Sequence, residues 1–120
     1  MMKKPNRKKL ENKLDTYRRQ IKHYRKSLDG LMEARDTAVA EITEYRRRRK
    51  ELKENRSSDE LQRGNYQNYL MFYENSIHDK SALICYLDER ISLTKEALKL
   101  AQIVHSLYRE KCQAEETALV

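Results

Sequence analysis

Apolar residues recur through the first half of the chain at alternating spacings of four and three: Leu10, Leu14, Tyr17, Ile21, Tyr24, Leu28, Leu31, Arg35, Ala38, Ile42, Tyr45, Arg49, Leu52. Eleven of these thirteen positions are apolar, and of the thirty residues between them only Met32, Ala34, Val39 and Ala40 are. So narrow a stripe is the a/d seam of a coiled coil, and differs from the wider face of a helix half sunk in a globule. A second series runs Tyr66, Leu70, Tyr73, Ile77, Lys80, Ile84, Leu87, Ile91, Thr94, Leu98, Ala101, His105, Tyr108, Cys112, with eleven of fourteen apolar. As helices the two stretches would measure roughly 65 and 70 Å.

Between the seams lies Lys53-Glu54-Asn55-Arg56-Ser57-Ser58-Asp59-Glu60, which has no apolar residue. Ser57 to Glu60 fits a capping box, in which the serine accepts from the backbone and the glutamate reaches back. Matched lengths with one polar break predict an all-α fold, two long helices forming an antiparallel coiled-coil hairpin. Helix one is expected over about 6–54, the turn over about 55–60 and helix two over about 60–114, as a single domain with frayed ends. Gly64 marks a kink or a late helix start. The rival is one continuous helix that dimerises in parallel. The weak helix formers Asn55 to Asp59 argue against it.

The second helix carries more apolar surface than one partner covers. Outside its seam lie Phe72, Leu83, Tyr86, Leu93, Ala97, Leu100, Val104 and Leu107, at the c and g heptad positions. A two-stranded hairpin buries mainly a and d, so c and g should be wet over residues 83–107. A buried leucine contributes about 1.5–3 kcal/mol, so such a line invites a partner, either a second copy or another protein.

Composition narrows the classes further. The 120 residues hold 38% hydrophobic and 38% charged residues, with 2 Gly and 1 Pro. That excludes a turn-rich sheet fold and an ordinary globular core. The seam excludes disorder. No apolar run approaches the roughly 20 residues of a membrane span, and no secretory signal is visible after Met1. Cys85 and Cys112 lie too far apart on one helix to bridge, which points to reduced thiols. Charge is uneven: residues 1–60 hold 19 Lys+Arg against 11 Asp+Glu, whereas residues 61–120 hold 7 against 8. The clusters lie at Lys3 to Lys9, Arg18 to Lys26 and Arg46 to Lys50. Part of this is a solvated face with i,i+4 support, and the rest favours an acidic partner.

Catalytic chemistry is missing from the sequence. There is no glycine-rich phosphate loop, no Cys-x-x-Cys and no His-Glu-x-x-His. His23, His78 and His105 are isolated, and His105 stands about 10 Å from Cys112 along one helix, too far to share a zinc ion. No enzyme, cofactor or metal site is expected. Lys80 and His105 on the seam fix register or mark the end of the partner helix.

Near the turn, Asn65-Tyr66-Gln67-Asn68-Tyr69-Leu70, followed by Glu74, Ile77 and a long polar-studded helix, resembles the FliJ/YscO family of type III secretion systems. Tyr45 of helix one should fall opposite this group. The resemblance implies a short, basic, antiparallel two-helix coiled coil that serves as central stalk of a hexameric secretion ATPase. It also implies contacts with the cytoplasmic part of the export gate and with export chaperones. The location implied is the cytoplasmic face of a membrane-embedded secretion apparatus, without membrane insertion, and the free protein would be a monomer. The length is closer to the injectisome (virulence) branch than to the flagellar one. Positions matching the family's gate contact are Tyr45, Tyr69, Tyr73 and Ser76, although Tyr73 replaces an aliphatic residue and Lys80 a more neutral one. The ATPase contact is expected from Arg18, Arg19, Lys22 and Arg25 with Leu93, Leu100, Val104 and Leu107. Two other classes remain open: a basic coiled coil that binds nucleic acid, and a self-assembling structural bundle.

Overall fold

The computed structural model describes residues 3–55 and 63–119. Among them are two helices, α1 (Lys3–Glu54) and α2 (Arg63–Leu119), and no strand. Pro5 falls in the first turn of α1, where its missing N–H leaves no intrahelical bond unmade. At the other end the Asn55 N–H donates to the Glu51 carbonyl at 3.0 Å. The capping box at Ser57 to Glu60 lies outside the described residues. Helix α2 runs five residues beyond the expected Ala114. The segment Glu115-Glu116-Thr117-Ala118-Leu119 contains no helix breaker, and Arg7 of α1 ties it down by donating to Glu116 at 2.8 Å.

The chain divides into two compact units, one built from Met1–Gly30 with Ile91–Val120 and the other from Leu31–Arg90. In the first, Arg7 meets Glu116 and the Tyr17 ring stacks on Tyr108 with centroids 5.7 Å apart. In the second, Arg35 pairs with Asp88, Lys80 with Glu41 at 2.6 Å, and Tyr45 packs on Phe72 and Tyr73. Within each unit, as one partner's number rises the other's falls. The helices are antiparallel, and the fold is a helical hairpin.

All twenty-seven seam positions are buried or half-buried. Leu14, Ile91 and Ala101 form the deepest apolar part of the first unit; Ala38, Ile42, Ile77 and Leu87 form that of the second. None of the described side chains is completely enclosed, because two helices alone offer one layer of contacts. The charged seam residues follow the same logic. Arg35 and Lys80 keep their stems against the seam and put their charged ends on carboxylates of the opposite helix. In Lys80 this supports the register role expected of it. No helix among the described residues is long and apolar enough to cross a membrane.

Candidate functional site

Two surfaces of the first unit hold residues expected to contact the ATPase. One is a groove of about 490 Å³ lined by Arg18, Ile21, Lys22 and Arg25 of α1 and Gln102, His105 and Ser106 of α2. The α1 cations recur at spacings of four and three, so one face of the helix gathers them. Arg18 has Asp15 at 3.6 Å, but Lys22 and Arg25 form no ion pair among the described residues. Positive charge therefore accumulates over an apolar floor, Ile21. His105 reports it: burial, then the charges of Arg18 and Arg109, hold its pKa below the usual imidazole value. Its buried Nε2 has no hydrogen-bond partner among the described residues. Arg19 is exposed but does not line the groove.

The second surface is aliphatic. Leu93, Leu100 and Leu107 recur every seventh residue and remain 51%, 63% and 54% exposed. Ile103, also exposed, falls between Leu100 and Leu107 at three-four spacing and extends the patch. Ile103 occupies the position farthest from the seam, which is why a reading confined to c and g passed over it. The expectation that both c and g would be wet is corrected in part. Of the g positions Leu83 is exposed as expected, whereas Ala97 and Val104 are half-buried, since g flanks the seam more closely than the outward c line does. At 100° per residue, Gln102 and Ser106 point away from Leu100 and Leu107. The basic groove and the leucine line thus lie on opposite faces of α2.

In the second unit the four expected gate residues separate. Tyr45 and Tyr73 come together, with ring centroids 6.3 Å apart, and Phe72 meets Tyr45 edge-on at 6.1 Å. Tyr45, Tyr73 and Ser76 are half-buried, and only Tyr69 of the four is exposed. What this end offers to a partner is Tyr69, Met71 and Phe72, all exposed. Tyr45 serves mainly as their support.

Among the described residues no group of three or more His, Cys, Asp or Glu side chains could hold a metal ion. Both cysteines are free, Cys85 exposed and Cys112 half-buried. Burial, followed by the nearby Glu11 and Glu116, pushes the Cys112 thiol's pKa up.

Comparison of the chain with protein-family models, with curated proteins and with solved structures finds no match. The FliJ/YscO resemblance rests on the segment Asn65 to Ile77 and the two-helix pattern alone.

Proposed function

We propose that the protein is a non-enzymatic central stalk of a type III secretion system, seated in the pore of the hexameric secretion ATPase. The opposed surfaces of the first unit are the observation that carries this reading. A partner that covers Leu93, Leu100 and Leu107 and also meets Arg18, Lys22 and Arg25 must grip α2 from both sides. A ring does that; a flat docking surface does not. In the ring, aliphatic pore residues cover the leucine line and acidic loops neutralise the groove. One asymmetric stalk cannot contact six subunits alike, so it favours different states in different subunits. Because it binds only the assembled ring, it also promotes assembly by mass action. The second unit, with Tyr69, Met71 and Phe72 exposed, is then the end that meets the export gate and export chaperones. This role places the protein in the cytoplasm, at the base of the apparatus.

The test uses the triple variant Arg18→Glu, Lys22→Glu, Arg25→Glu and the separate triple variant Leu93→Ser, Leu100→Ser, Leu107→Ser. Each should abolish stimulation of ATP hydrolysis by the co-expressed secretion ATPase while helicity is retained. Undiminished stimulation by either variant would overturn the stalk reading. So would a free protein that sediments as a stable dimer through the leucine line. Binding of duplex DNA with a steep salt dependence, lost in the charge variant, would move the assignment to the nucleic-acid class.

A further inference from the structure

We infer that α1 from Val39 to Lys53 is a two-part docking groove for an amphipathic, acidic helix of a partner protein. This inference lies wholly in the second unit and does not rest on the stalk reading. The chain has five consecutive cations at Arg46-Arg47-Arg48-Arg49-Lys50, and they do not act alike. Arg47 donates to Glu44 at 2.5 and 3.1 Å and to Glu51 at 2.5 Å, and Arg48 donates to Glu44 at 2.9 Å. Those hydrogen bonds hold the Glu44 carboxyl at a pKa of about 2, so it stays ionised and committed to its two arginines. The remaining three, Arg46, Arg49 and Lys50, and Lys53 one turn further on, form no ion pair among the described residues. Their spacing of three, one and three puts all four on one face, along a groove of about 510 Å³ that ends at Glu54.

A second, smaller groove of about 260 Å³ adjoins it. Its apolar lining is Val39, Ile42 and Ile84, with Thr43 and Ser81 beside them. Arg46 lines both grooves, so one partner helix lying along this face would meet the two in succession. Arg35, at the other end, is already occupied by Asp88. The pairing of the two grooves decides the class of ligand. A nucleic-acid backbone could neutralise the cations but has nothing to place against Val39, Ile42 and Ile84. A protein helix can offer one aliphatic side chain for the small groove and carboxylates for the cation strip. Val39 to Lys53 spans about 21 Å of helix, which a partner helix of about four turns matches. Exposed charge pairs of this kind make a weak contact that loosens with salt, suited to an encounter that must be released.

Fluorescence anisotropy at about 50 mM salt tests this on the full-length chain. The probe is a labelled, helix-stapled peptide of about four turns with a leucine at one end and four glutamates on the same face, made in both polarities. One polarity should bind, and Lys50→Glu with Lys53→Glu should weaken it about tenfold or more. Replacing the peptide glutamates by glutamine should do the same. Val39→Asp should reduce the leucine peptide to the level of its Leu→Ser counterpart. If the glutamate variant loses helicity, Lys50→Gln with Lys53→Gln should still weaken binding. The proposal is overturned if neither peptide binds or if these substitutions leave binding unchanged. Tighter binding of single-stranded RNA or of phosphatidylserine vesicles than of the peptide also overturns it.

Discussion

Two truncations on one helix separate the side chains that build the hairpin from those reserved for a partner. Ile91→Ala and Leu100→Ala each delete three carbons within the first unit, from residues that are 9% and 63% exposed. At about 0.8 kcal/mol per buried carbon group, full burial of three is worth about 2.4 kcal/mol. Scaling by the buried fraction gives about 2.2 kcal/mol for Ile91 and about 0.9 kcal/mol for Leu100. At roughly 3–5 °C per kcal/mol for a domain of this size, Ile91→Ala should lower Tm by about 7–11 °C and Leu100→Ala by about 3–4 °C. Thermal melting followed by helical circular dichroism at low micromolar concentration measures both. Equal losses would refute the assignment, since Leu100 would then be covered in the free chain. A Tm that rises with concentration in the native protein but not in Leu100→Ala would identify a second copy as the cover.

Gly30 lies inside α1, and a Cβ built there meets nothing within 4 Å, so Gly30→Ala should raise stability by about 0.8–1 kcal/mol in the same melt. His105 has its pKa lowered on folding, so its contribution is fully present above the unfolded value near 6.5 and declines as pH falls through that value. His105→Leu should therefore lessen the fall of Tm between pH 7 and pH 5, and an unchanged slope would show that the imidazole is not the group responsible. Exposed Cys85 should react with a thiol reagent well before Cys112, whose thiolate is disfavoured by burial and by Glu11 and Glu116; mass spectrometry of a timed iodoacetamide reaction should show a ratio above about ten.

The helical hairpin was legible because a two-helix coiled coil is specified by a one-dimensional code. The four-three spacing names the seam, and each position it named is at least half-buried. The charged seam residues were harder. Nothing local to Arg35 or Lys80 reveals that Asp88 and Glu41 will stand across from them, because cross-helix register depends on how the chain reverses. Near the turn the register is as expected, with Tyr45 against Phe72 and Tyr73, but farther along the helices the groove partners Gln102, His105 and Ser106 were not matched to Arg18, Lys22 and Arg25. Ser76 shows a different limit. It is carried over as a position matching the family's gate contact, yet the place it occupies beside the seam half-buries it. Among the five adjacent cations the i,i+4 spacing did give the Glu44–Arg48 pair, but the double engagement of Arg47 was invisible, since it is decided by which rotamers reach Glu44 and Glu51.

Because even the deepest side chains touch only a thin sheath of neighbours, neither unit has an interior that must be breached all at once. Each layer can come apart and reclose like a tooth of a zip fastener, with amide exchange graded along the helices in place of one common rate. A hairpin made this way can open locally and stay assembled as a whole.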